Sequence, residues 1–152
     1  MDSSQLRYVL GKYNINAKVI CRDELPNYFK LPIGLIANTD PCSKPGQHWV
    51  GIFIDQKKNG YYFDSFGFPP IHEDFVNFLN KHSKKWNYNS KRIQSLDSDT
   101  CGQICLIFLL QKFNKLRVNE LFSNNTKMND NITKTFIIGF ANEYRLIFEC
   151  PV

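Results

Sequence analysis

The chain has 152 residues, 43% hydrophobic and 14% aromatic, a composition that suits one globular domain over residues 1–152 and excludes a disordered segment. Its formal charge of +5 permits contact with nucleic acid without demanding it. The longest apolar run, Ile104 to Leu110, is too short to cross a bilayer, and MDSSQLRYVL lacks a basic-then-apolar leader pattern, so a soluble intracellular protein with no membrane partner is expected.

In chain order, Ser3-Ser4 can cap a short helix carrying Leu6, Val9 and Leu10, with Gly11 suited to its end. Ala17 to Cys21 reads as a strand, and so does the apolar run Ile33 to Ala37 between Pro32 and the turn residues Asn38-Thr39-Asp40-Pro41. His48 to Ile54 and Tyr61 to Phe66 form a hairpin whose turn signal is Asn59-Gly60. Pro69-Pro70 opens a helix with Glu73 and Asp74 in its first turn and a buried face of Phe75, Phe78, Leu79, His82 and Trp86. Tyr88 to Leu96 reads as a further strand. Cys101 to Phe113 is a helix apolar on nearly every face, hence internal, and Thr133 to Leu146 is an amphipathic helix with Gly139 a weak point. The class is α+β, with a central mixed sheet of about five strands packed on a buried helix.

Five cysteines, an odd number, argue against a complete disulfide framework. There is no Cys-x-x-Cys pair, and His48, His72 and His82 show no ligand spacing, so no metal or organic cofactor is expected. The chemistry concentrates elsewhere. If Ile54 lies opposite Gly60, paired numbers sum to 114 and Asp64 faces Val50. Residues two apart share a face, so His48 and Asp64 become diagonal neighbours. A carboxylate there can take a proton from one imidazole nitrogen and fix the other as a base; a slip of one residue would separate them. Cys101 opens the internal helix, where backbone amides and the helix dipole favour a thiolate. Gly102 leaves room for a substrate backbone, which together with Trp49 makes a candidate groove. The Cys101 amide and Gln94 are candidate oxyanion donors. Cys105, one turn inside the helix, reads as a small buried hydrophobe.

These residues, taken in order, resemble adenain, the adenovirus cysteine protease family, whose clan also holds the ubiquitin-like-protein-specific proteases. The resemblance runs through Asn38-Thr39, Gly46-x-His48-Trp49, Tyr62-x-Asp64-Ser65-Phe66-Gly67-Phe68, Gln94 and Cys101-Gly102. It implies a papain-like site in permuted chain order: Cys101 as nucleophile, His48 as base, Asp64 as orienting acid, Gln94 in the oxyanion hole and Trp49 as a packing aromatic beside the base. It also implies a cysteine endopeptidase acting on viral or virus-like precursors at Gly-Gly or Gly-x-Gly sites, within the host cell, its nucleus or the virion. DNA and an activating peptide come with the resemblance as candidate partners, and a monomer is expected. The acid is Asp64, as in the ubiquitin-like-protein proteases, where adenoviral enzymes carry Glu. No cysteine lies between Phe66 and Thr100, which argues against a peptide activator disulfide-linked there.

Two other readings come from the same sequence. One is a protease for ubiquitin or a ubiquitin-like modifier. The other is a nucleic-acid-binding module built on Lys81, Lys84, Lys85, Lys91 and Arg92, interleaved with Trp86 and Tyr88.

Overall fold

The structure is a computed structural model that describes residues 1–116 and 122–148, with side chains up to Ile137. The elements are α1 (Ser3–Lys12), β1 (Ala17–Ile20), β2 (Ile33–Asn38), β3 (Trp49–Ile54), β4 (Asn59–Phe63), α2 (Glu73–His82), β5 (Lys85–Tyr88), α3 (Cys101–Lys112) and α4 (Thr126–Phe148), with a short 3-10 turn at Arg22–Glu24. The five strands form one mixed sheet in chain order: β1 and β2 are parallel, as are β4 and β5, while β2–β3 and β3–β4 are antiparallel. The α+β class and the five-stranded sheet expected from the sequence are both present.

Period-2 alternation divides the core between the two faces of the sheet. From β3, Val50, Ile52 and Ile54 join Ile33, Leu35 and Tyr62 against Phe75, Phe78 and Leu79 of α2. Phe53, Ile36 and Phe63 face the other way, onto Ile104, Phe108 and Leu109 of α3 and Leu6, Val9 and Leu10 of α1. Phe63 and Phe108 stack at 4.6 Å. Gly51 makes this approach feasible, since a Cβ there would lie 2.8 Å from Phe108 Cδ1. Eight residues of α3 are buried, which is why its sequence is apolar all round.

Several local expectations change. The cap of α1 is Asp2, whose carboxylate accepts from Gln5 N while the Gln5 side chain accepts from Asp2 N; Ser3 and Ser4 already lie inside the helix. The hairpin does not turn on Asn59-Gly60, which belong to β4. It turns at Lys58, with φ of 65°, where Asp55 accepts from the amides of Lys57 and Asn59 and from the Asn59 side chain. The strand expected over Tyr88 to Leu96 lies earlier, at Lys85–Tyr88. Trp86 therefore sits on β5 and not on the α2 face, and His82, at the end of α2, is half-buried. Residues 89–100 are irregular: no strand pairs with them, Ile93 N and Gln94 N donate to the Ser65 carbonyl, and the side chains of Asn129 and Asp130 bond to Ile93 O and Ser95 N. The last helix begins at Thr126, well before Thr133; Gly139 and Cys150 lie outside the residues whose side chains are described. Cys21 and Cys42 form a disulfide, a pairing the odd cysteine count did not suggest.

Candidate active site

The hairpin register sums to 114 throughout, from Gly51 opposite Phe63 to Ile54 opposite Gly60. His48 and Asp64 each stand one residue beyond their strands, on the parity of Val50 and Tyr62, so they meet at the end of the ribbon. His48 Nε2 lies 3.2 Å from Asp64 Oδ1. The same oxygen accepts from Phe66 N at 2.7 Å. Asp64 is buried, and its backbone is clasped by Asn89, whose Oδ1 accepts from Asp64 N at 2.9 Å and whose Nδ2 donates to Asp64 O at 2.6 Å. Phe66 stacks on the imidazole, ring centroids 5.2 Å apart, and limits its rotation.

With Nε2 facing Asp64, Nδ1 is the ring nitrogen left for Cys101, which lines the same cavity and whose sulfur interacts with the ring. Cys101 is the first residue of α3 and only half-buried, unlike the fully buried Cys105, whose Sγ donates to the Trp49 carbonyl. Burial alone would lower the His48 pKa, but the hydrogen bonds to Asp64 and Cys101, together with their negative charge, outweigh it and raise the value to about 9. For Cys101, burial acts to raise the thiol; bonds from His48 and from the Trp49 and Gly102 backbone, with the imidazolium charge, prevail and hold it below the usual range. Both shifts favour the thiolate–imidazolium form of the pair.

Gln94 is buried beside them. Its Oε1 accepts from Ser65 Oγ at 2.6 Å and its Nε2 donates to the Ser98 carbonyl at 2.7 Å, so the amide orientation is fixed and one N–H remains. The Cys101 amide is one of the N–H groups a helix start leaves without an internal partner. His48, Trp49, Phe66, Gln94 and Cys101 all line a cavity of about 600 Å³ that also reaches Arg7 of α1 and Asp40 and Lys44 of the loop before β3. Two glycines shape it. Gly46 has φ of +87°, and a Cβ there would lie 2.5 Å from Asn38 Nδ2; a Cβ on Gly102 would lie 3.1 Å from Trp49 Cδ1.

The structure thus brings together every residue singled out for catalysis, the oxyanion hole and the groove. It places Lys81, Lys84, Lys85, Lys91 and Arg92 elsewhere, exposed around α2, β5 and the following loop. Trp86, meant as a stacking platform, is half-buried and gives its indole N–H to Asn80, leaving Tyr88 as the exposed ring of that stretch. Asn89 was not singled out from the sequence; a lone loop asparagine carries no local signal. Phe66 lies within the quoted motif, but its stacking on His48 is a tertiary fact.

No protein-family model matches the chain. In an alignment of 123 positions that covers 74% of its length, it is 32% identical to a protein of Acanthamoeba polyphaga mimivirus that bears the provisional name thiol protease R355. The chain spans 38% of that relative's length. Among solved structures it resembles the central domain of an uncharacterized Legionella pneumophila protein, Lpg1148, with TM-score 0.57, 16% identity and coverage of 96% of this chain and 97% of that one. It also resembles the SUMO protease Ulp1 with its catalytic cysteine oxidized to a sulfinic acid, with TM-score 0.50, 14% identity and coverage of 91% and 75%. The chain thus shares its fold with Ulp1; adenain, the family that the sequence resembles, is not among these relatives. Among the described residues no helix is long and apolar enough to cross a membrane.

Proposed function

We propose that the chain is a cysteine endopeptidase in which Cys101 is the nucleophile, His48 the base, Asp64 the orienting acid, and Gln94 with the Cys101 amide the oxyanion hole. The observation that carries this reading is the order Asp64–His48–Cys101, with Nε2 of the ring 3.2 Å from the carboxylate and the sulfur at the mouth of a buried helix. The viral relative with a thiol-protease name and the Ulp1-type fold support it. The Cys101 thiolate attacks the scissile carbonyl to form a tetrahedral oxyanion. The His48 imidazolium protonates the departing amine, leaving a thioester, and the neutral ring then takes a proton from the water that hydrolyses it. No step calls on a cofactor.

For substrate we propose a viral or virus-like precursor cut after small residues, of the Gly-Gly or Gly-x-Gly type. A ubiquitin-like modifier with a Gly-Gly end is the second reading, favoured by the Ulp1-type fold and by an aspartate at position 64. Fluorogenic Gly-x-Gly peptide and ubiquitin-like substrates, assayed side by side on wild type and Cys101→Ala, decide. The variant should lose all cleavage and keep its fold, and the better substrate names the class. Full activity in the variant removes the proposal.

A further inference from the structure

Asp130, on the second turn of α4, lies far in sequence from the residues named above and is 4% exposed. Its carboxylate gathers four neutral donors. Oδ2 accepts from Ser95 N at 3.2 Å and, at shorter range, from Ser95 Oγ; Oδ1 accepts from Ser98 Oγ at 2.9 Å and Thr100 Oγ1 at 2.6 Å. Among the described residues no ion pair compensates it. The neighbouring Asn129, fully buried, donates to the Ile93 carbonyl at 3.0 Å.

The residues held in this way frame the two groups that matter. Ile93 and Ser95 flank Gln94. Ser98 supplies the carbonyl to which Gln94 Nε2 donates. Thr100 is the N-cap of α3, immediately before Cys101. A buried carboxylate is costly to desolvate, and a loop of this length could be anchored with neutral partners. What the charge adds is strength: hydrogen bonds to an ionised acceptor are about twice as strong as neutral ones, and this carboxylate makes its bonds at three points of one loop.

We propose that Asp130 is a positioning residue for the oxyanion hole, fixing the 93–100 loop so that the Gln94 amide and the start of α3 hold a preorganised geometry toward the developing negative oxygen. This deepens the protease reading and rests on it. A residue of α4 that does not itself line the groove then controls turnover more than binding. The reason is that an oxyanion donor acts mainly in the transition state, and an error of about 1 Å in such a group costs up to about 10²-fold.

The test is Asp130→Asn in the full chain. An amide keeps the shape but offers one acceptor where two are used. The expected result is kcat lower by roughly ten- to a hundredfold with KM within about threefold. Alkylation of Cys101 by iodoacetamide, at a saturated carbon that needs a thiolate and no oxyanion hole, should keep its rate and pH profile. Unchanged kcat in the folded variant overturns the proposal; so does alkylation that falls in parallel with kcat. Should Asp130→Asn not fold, Ser98→Ala removes one of the bonds and must show the same kcat-only loss at a few-fold scale, and an unchanged kcat there is equally fatal. Amide hydrogen exchange at Ser95 reads the lock without any activity, and no faster exchange in the variant rejects it. If wild type cleaves nothing and Cys101 alkylates like an ordinary thiol, it is the protease reading that fails, and the exchange result still reports on the lock.

Discussion

Asn89 clasps Asp64 by its backbone, accepting from Asp64 N at 2.9 Å and donating to Asp64 O at 2.6 Å. Asp64 has left the β4 ladder at that point, so no strand neighbour satisfies these groups. Asn89 replaces that neighbour and also donates to the Lys91 carbonyl. Asn89→Ala should cost about 1–3 kcal/mol of stability by leaving the Asp64 N–H without its partner, while the Asp64 carbonyl keeps the bond from Gly67 N at 2.9 Å, and should lower kcat by letting the carboxylate drift from His48. Denaturant titration alongside peptide kinetics tests both. Asn89→Asp should be intermediate, because it keeps the acceptor and loses the donor.

The opposite shifts of His48 and Cys101 predict a particular pH response. His48 in the folded chain has a pKa raised to about 9 from an ordinary value near 6.5, so its contribution to stability is complete below about 6.5 and is lost as pH rises through about 9. Cys101, depressed, contributes above the ordinary thiol range and loses that contribution as pH falls through its folded value. Between the two ordinary values the two terms oppose each other, which weakens the dependence of stability on pH there. Iodoacetamide alkylation of Cys101 should remain fast well below the ordinary thiol range, and kcat/KM should fall on the alkaline side near pH 9 as the imidazolium is lost. His48→Ala should return Cys101 to ordinary thiol behaviour. An alkylation profile in wild type that follows an unperturbed thiol would exclude the thiolate–imidazolium pair.

The half of the site that the sequence disclosed is the half governed by local rules. Alternation along the hairpin put His48 and Asp64 on one face once the register was chosen, and an apolar helix placed Cys101 at its own start. What the sequence hid depends on distant partners. Residues 89–96 read as a strand because Tyr88, Ile93 and Leu96 recur among polar residues, yet their backbone is satisfied by Asn89, Ser65, Asn129 and Asp130. The Asn-Gly signal was overridden because Asp55 organises the turn one residue earlier with three bonds of its own. Asp2 displaced Ser3 as the helix cap for a similar reason: a reciprocal capping box with Gln5 satisfies two amides at once.

Gln94→Ala tests the oxyanion hole directly. Removing one such donor lowers kcat by roughly two to three orders of magnitude, with a much smaller change in KM. Gln94 also accepts from Ser65 Oγ in a buried setting, so some loss of stability should accompany the change. Gln94→Glu separates the two effects. It keeps the acceptor for Ser65 but loses the donor and brings a negative charge to the place where the oxyanion forms, so its kcat should be at least as low as that of Gln94→Ala. A Gln94→Glu variant with near wild-type turnover would mean that another group stabilises the oxyanion.

Gly46 tests how the base is delivered to the site. Its φ of +87° is a conformation that side-chain-bearing residues avoid, and a Cβ would lie 2.5 Å from Asn38 Nδ2. Asn38 cannot yield freely, because its Oδ1 accepts from Asp40 N at 2.9 Å, in the loop that leads to Cys42 and its disulfide with Cys21. Gly46→Ala must therefore shift either Asn38 or the chain just before His48. The expected cost is roughly 1–3 kcal/mol, from a non-glycine residue held at positive φ. A shifted His48 should also weaken the hold on Cys101, so thiolate alkylation at neutral pH should slow together with peptide cleavage. That coupled loss sets this variant apart from Gln94→Ala, which should spare alkylation. A Gly46→Ala chain with wild-type stability and wild-type alkylation would show that the loop relaxes without moving the base.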